Sequence, residues 1–148
     1  MGLTTRNITK SFRWSEFELS ATAKAHKIDN RVPDAVKPYV QEFCRTVLQP
    51  LRDKVCKPIT ISSGYRCKKL NELVGGSPTS QHVTGEAADI KIATMRPLDV
   101  AQKIYDMKLP FDQLIVYPAW VHVSHRMFGI QRRQVLYNKS YTGEHLKR

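Results

Sequence analysis

The sequence predicts an α+β fold, a small antiparallel sheet with helices packed on one side, and three observations carry that prediction. Val36, Val40, Phe43, Val47 and Leu51 recur at helical spacing and form one apolar stripe. Residues 87–92 alternate instead: Ala88, Ile90 and Ile92 share one face of a strand, while Asp89 and Lys91 take the other. Residues 111–117 and 120–124 are two strand-like runs joined only by Pro118 and Ala119, a link that makes them antiparallel neighbours. Helices and strands in this mixture bury their apolar faces against each other as two layers.

In chain order, Phe12, Trp14 and Phe17 read as an aromatic lid on the core, with Ser15 and Glu18 spaced as a capping box. The break at 30–33 precedes the striped helix, which Pro50 is expected to kink or end. Residues 58–62 are β-prone, and Ser63-Gly64 turns the chain. Residues 67–74 suit a helix stopped by Gly75-Gly76, and 77–85 is loop. Pro97 opens a helix to about residue 107, with Leu98, Ala101, Ile104 and Tyr105 inward. In the second strand of the tight pair Val121 and Val123 face the core, while Trp120, His122 and Ser124 face away. Residues 134–138 form a last strand, and 139–148 reads as a loose basic tail. No repeat or linker divides the chain, so residues 1–148 are read as one domain.

Composition narrows the function classes. With 41% hydrophobic and 25% charged residues the chain is globular, and no apolar run approaches the roughly 20 residues of a membrane helix. The first residues, MGLTTRNITKSF, lack an apolar leader, and Arg6 stands where myristoylation at Gly2 needs Ser or Thr. Synthesis in the cytoplasm is therefore expected. The net charge of +11 implies attraction to a polyanion: nucleic acid, an acidic membrane face or an anionic cell wall. Much of that charge follows Ser124, at Arg126, Arg132, Arg133, Lys139, Lys147 and Arg148. Cys44, Cys56 and Cys67 have no CxxC spacing and are expected to be free, mostly buried thiols.

The chemistry concentrates between Ser62 and Asp89, with His122 beyond. On its own, His82 in a Ser/Thr/Gly loop reads as a solvated histidine, and His122 among valines as a satisfied sheet histidine. Asp89 is different, because a lone carboxylate in an apolar strand costs several kcal/mol to desolvate and needs a cation. Two imidazoles and a carboxylate on a loop and two strands are the ligand set of a zinc ion with one open position for water. Arg66 reads either as a surface arginine or as a fixed cation for a substrate carboxylate or a developing oxyanion. Ser80 and Gln81 stand beside His82, placed to hydrogen-bond substrate or to orient the ligand. Gly75, Gly76 and Gly85 allow the loop to fold closely, and Asn71 reads as a brace for it.

These residues fall into S-G-Y-R, N-x-x-V-G-G, S-x-H-x-x-G-x-A-x-D and W-V-H-V-S. Together, from about Phe12 to Asn138, they resemble the zinc D-alanyl-D-alanine peptidases, which include bacterial D,D-carboxypeptidases and phage endolysins and share their fold with hedgehog domains. The resemblance implies zinc on His82, Asp89 and His122, Arg66 as the substrate or transition-state arginine, and Tyr65 beside it as a substrate contact. It also implies hydrolysis of peptidoglycan stem or cross-link peptides, hence action at the cell wall, through phage lysis or another export route. One position departs from the pattern: many relatives carry an acidic base three residues before the last zinc histidine, where this chain has Ala119. Tyr117 stands two residues further back, at a position that is histidine in some relatives. Asp112, Glu86 and His125 remain as candidate bases. Two alternatives stay open: a zinc-bearing wall-binding module without turnover, and a basic nucleic-acid-binding domain using the C-terminal arginines.

Overall fold

The computed structural model of the protein describes residues 6–148; Gly2, on which the myristoylation reading falls, lies outside them. A short hairpin, β1 (Asn7–Thr9) and β2 (Phe12–Arg13), leads into α1 (Trp14–Glu18) and α2 (Ala21–Ala25). Phe12 and Phe17 are fully buried, as expected of a core lid. The capping box lies two residues earlier than the sequence suggests: Glu16 accepts from the Arg13 N–H at 2.7 Å, while the Glu18 carboxylate accepts from Val32 N–H and ties down the following loop.

The striped helix runs on in three pieces: α3 (Lys37–Phe43), a π-helical turn (Cys44–Leu48) and α4 (Gln49–Val55). Pro50 does not end it. The Gln49 N–H bonds the Cys44 carbonyl five residues back, so the chain is already widened where the proline ring, lacking an N–H, must pass. The extra residue in the turn also brings Cys44 and Leu48 inward beside Val40, Phe43, Val47 and Leu51. Of the cysteines only Cys44 is buried; all three are free, but Cys56 is exposed in a left-handed C-cap and Cys67 is half-buried.

The rest builds a five-stranded sheet: β3 (Ile59–Ser63), then α5 (Lys68–Leu73), β4 (Ala87–Ile92), α6 (Pro97–Asp106), β5 (Gln113–Val116), β6 (Val121–Ser124) and β7 (Gln134–Tyr137). Its spatial order is β3-β4-β6-β5-β7, antiparallel throughout except that β7 lies parallel to β5. This α+β arrangement is the one expected, with the parallel edge strand as an addition. The parallel pairing follows from the loop between β6 and β7. The Asp112 N–H donates to the Ser124 carbonyl where the loop leaves, and Gln134 N–H donates to the Asp112 carbonyl where it returns. The loop thus begins and ends beside Asp112, and β7 must start level with β5.

Ala88, Ile90, Val121, Val123, Leu114 and Val116 point into one core with α6 and the long helix. The opposite face of β4 and β6 carries Asp89 and His122. The last ten residues are not loose: Leu146 is buried, His145 stacks on Tyr137 at 3.8 Å, and Lys147 exchanges hydrogen bonds with the Gln102 side chain. Among the described residues no helix is long and apolar enough to cross a membrane.

Candidate metal centre

Asp89 and His122 are direct cross-strand partners in the β4–β6 ladder, so strand alternation puts both side chains on the polar face side by side. His82 comes from the loop after α5. Its Nδ1 lies 2.6 Å from the Gly64 carbonyl, which can only accept, so Nδ1 carries the proton and Nε2 presents a bare lone pair. Gly64 is required for this contact: a Cβ there would stand 2.8 Å from the backbone of Phe17.

His82 Nε2 and His122 Nδ1 converge on the same oxygen, Asp89 Oδ1, at 3.3 and 3.0 Å. One ligand atom from each of the three residues lies within 4.8 Å of the others. Tetrahedral bonds of about 2.0–2.2 Å set ligand atoms about 3.3–3.6 Å apart, so the spacing suits a small divalent cation. The donor chemistry asks for one as well. Burial holds the His82 imidazole below its ordinary pKa, against the pull of Asp89, so at neutral pH a lone pair faces a carboxylate oxygen with no proton between them. Burial also works to raise the Asp89 carboxyl, yet the neighbouring His122 and His82 imidazoles outweigh it and the group lies well below the usual carboxylate range. His82, Asp89 and His122 can therefore hold a metal ion.

Arg66 completes the centre. Its Nη2 approaches Asp89 Oδ2 at 3.7 Å, Nε donates to Ser63 Oγ, and Nη1 donates to Asn71 Oδ1 at 3.1 Å. Asn71 is buried and its Nδ2 donates to the Ser77 carbonyl, so the residue read as a loop brace also fixes the arginine. Gly76 is the glycine this packing demands: a Cβ would fall 2.0 Å from Asn71 Oδ1 and 3.0 Å from Arg66 Nη1.

The four residues line an open cleft of about 620 Å³, together with Ser80, Gln81 and Tyr117. Ser80 Oγ accepts from His82 N–H and shapes the loop, while Gln81 Nε2 donates to Asp112 Oδ2. Tyr117 stacks on Trp120 with ring centres 4.6 Å apart; burial first, and then the nearby Asp89 charge, raise its phenol, which stays protonated at neutral pH.

Tyr65 is not in the cleft. It is buried in the core, its N–H bonded to the Phe17 carbonyl, because the chain turns at Gly64 and sends alternate side chains to opposite sides. None of the three candidate bases is available either. Asp112 is fully buried and holds Arg132 at 2.7 Å and Arg126 at 3.2 Å. Glu86 accepts from Thr84 Oγ1 and Met127 N–H, and His125 is closed between the Pro110 carbonyl and Glu42. Ala119 sits in the exposed link, and Asp89 is the one carboxylate among the described residues lining the cleft. Sequence reasoning missed Arg132, which lines the cleft from the β6–β7 loop. The arginines after Ser124 read as general positive charge, and no local spacing links Arg132 to Asp112.

Comparison with known protein families matches residues 10–124 to Peptidase M15. The chain belongs to the peptidase M15 family. The match covers the lid, the helices α1 to α6 and all of His82, Asp89 and His122, and it ends at the last residue of β6. A search of curated proteins returns no match. Membership of this family of metallopeptidases implies a peptide substrate, and the His82–Asp89–His122 cluster is a group that could hold a metal ion.

Proposed function

We propose that the protein is a zinc-dependent peptidase that hydrolyses peptidoglycan stem or cross-link peptides, as a D,D-carboxypeptidase or an endopeptidase. One observation carries the reading: at the floor of the cleft, His122 Nδ1 and the unprotonated Nε2 of His82 face one oxygen of Asp89, with a braced arginine beside them. When bound there, zinc polarises the scissile carbonyl and supplies a water whose pKa falls to about 7.

The protein's own residues divide the remaining work. Asp89 and the two imidazoles fix the metal, and the Gly64 carbonyl keeps His82 in the one tautomer able to ligate. Arg66 has Nε and Nη1 engaged in hydrogen bonds, and its Nη2, at 3.7 Å from Asp89 Oδ2 and beyond hydrogen-bond distance, can turn to a substrate carboxylate or to the oxygen that gains charge in the transition state. The Tyr117 Oη–H is a neutral donor on the cleft wall, suited to the same oxygen. Ser80 and Gln81 shape the wall where the peptide backbone lies. The positive surface, net charge +11, draws the protein to the anionic wall.

The decisive test is digestion of purified peptidoglycan with and without chelator, with mass analysis of released fragments, beside zinc content of wild type and His82→Ala. Chelator-sensitive release of peptide fragments and about one zinc per chain, lost in the variant, are expected. Protein that refolds without taking up zinc sinks the reading. A second reading has one observation in its favour: no carboxylate other than Asp89 lines the cleft among the described residues, so no acidic base stands by the metal. A zinc-bearing wall-binding module would bind peptidoglycan and hold zinc yet release nothing in the same digest.

A further inference from the structure

Arg132 lies in the β6–β7 loop, past the last residue of the family match, yet its side chain lines the same cleft as the metal ligands. Its position is built rather than incidental. Asp112, fully buried, accepts from Arg132 Nε at 3.1 Å, from Nη2 at 2.7 Å and from the Arg132 backbone N–H at 2.8 Å. The same carboxylate accepts from Gln81 Nε2 at 3.1 Å, one residue from the ligand His82. The loop is closed on itself by Gln131, whose side chain exchanges two hydrogen bonds with the backbone of Arg126. The next residue, Arg133, takes a left-handed backbone with φ of 52° and sends its guanidinium the other way, over Phe111 at 4.5 Å and onto the Leu109 carbonyl. A strained non-glycine residue held by that many contacts fixes the direction of its neighbour.

The charge balance leaves this arm positive. Arg126 also pairs with Asp112, so two guanidiniums share one carboxylate. That carboxylate is 0% exposed, so a ligand in the cleft does not contact it, while Arg132 is 45% exposed. A guanidinium has five N–H donors; Asp112 takes the Nε and Nη2 edge, and the Nη1 donors have no partner among the described residues. The cleft therefore holds two fixed cations of different kinds: Arg66, 18% exposed and set against Asp89, and Arg132, set apart on the loop wall.

We infer that Arg132 is a specificity-determining residue that receives a second carboxylate of the peptide substrate, one removed from the bond that is cut. The inference rests on the peptidase reading and adds a substrate class to it: peptides with a free acidic group, rather than its amide, beyond the scissile bond.

The test uses two synthetic stem-type peptides that differ only in whether one internal carboxylate is free or is its primary amide, with zinc-loaded full-length protein. A charge-assisted hydrogen bond to a fixed guanidinium makes the expected preference for the free acid about 10- to 100-fold in kcat/KM, mostly in KM. In Arg132→Gln the preference falls to within about threefold of unity, with zinc content unchanged; in Arg132→Lys it is partly restored. Gln113→Glu adds an acid to the cleft, at the cost of the Gln113 hydrogen bond to Gln134 but with the Asp112 side chain kept, and is expected to lower the preference too, which keeps the test open should Arg132→Gln not fold. Equal rates for the two peptides in wild type, or an undiminished preference in Arg132→Gln, overturn the inference. If neither peptide is cut, the peptidase reading falls, and equilibrium binding of the same two peptides then decides Arg132 by the same two ratios.

Discussion

Asp89 and Asp112 are both largely taken out of water, and their partners determine what each can do. Both lie below the ordinary carboxylate range although burial works to raise them. Asp112 owes this to arginine, through the side chain and backbone of Arg132 and the charge of Arg126. Guanidinium keeps its proton at every accessible pH, so that pair stays closed wherever Asp112 is ionised and its role is to hold a loop. Asp89 owes it to two imidazoles. Imidazole gives up its proton near neutrality and then becomes a ligand, so the same kind of depressed carboxylate is convertible into a metal site. The difference between a structural and a chemical acid here lies in the pKa of the donors around it.

The comparison breaks most visibly at Asp89. Asp89→Asn keeps the shape and the hydrogen-bond capacity but removes the charge; zinc content is expected to drop from about one per chain to near zero, and peptide hydrolysis at least about a thousandfold, measured by metal mass spectrometry and product release. An Asp89→Asn protein that retains zinc would show that the carboxylate is no more a ligand than Asp112 is. Arg66→Gln should act differently. With the ligand set intact, zinc stays, while kcat falls about 100- to 1,000-fold if the guanidinium meets charge that develops in the transition state. A rise in KM alone would assign it to ground-state carboxylate binding instead.

How far the sequence revealed each acid follows the same line. Asp89 was legible because a strand of period two states which side each residue faces, and an acid among Ala88, Ile90 and Ile92 has to be explained. His122 was legible for the same reason, and the sheet order then makes the two direct partners. Asp112 was read as a possible base because it opens a strand without a periodic context. Its arginine partner stands 20 residues away across a loop with no regular structure. Pairings of that kind are fixed by topology, and the parallel return of β7 is a fact that no local pattern carries. Pro50 does not end the helix, for a related reason. Its rule assumes an α-helix before it, whereas the π-turn at Cys44–Leu48 relieves the clash in advance. Leu146 and Lys147 were lost in a short polar stretch whose anchors, Tyr137 and Gln102, lie on other elements.

A subtler variant probes the support of the centre instead of its ligands. Gly76→Ala places a methyl on Asn71 Oδ1, and the side chain that must give way is the one holding Arg66. Destabilisation of about 1–3 kcal/mol is expected, with hydrolysis down about tenfold and zinc unchanged. Thermal unfolding and kinetics of the zinc-loaded protein check it. Loss of zinc would mean that the loop positions His82 as tightly as Arg66.

Asp112→Asn sharpens the contrast from the structural side and has the smallest effect on chemistry. Zinc content should not change, because Asp112 touches no ligand. Breaking a buried pair often costs about 3–5 kcal/mol, but Arg126 and Arg132 are 41% and 45% exposed and stay hydrated, so about 1–3 kcal/mol is expected. The pH dependence gives the sign. The folded carboxyl is depressed, so its contribution is fully present above the ordinary aspartate pKa of about 3.9 and is lost as pH falls through the lower folded value. Urea unfolding of chelator-treated wild type and Asp112→Asn at about pH 7 and about pH 2.5 should therefore show a gap that narrows in acid. A gap of constant size would mean that Asp112 acts through shape and hydrogen bonds alone. The ionic account of how the β6–β7 loop is held over the cleft would then fail, while the imidazole-held acid at residue 89 would be untouched.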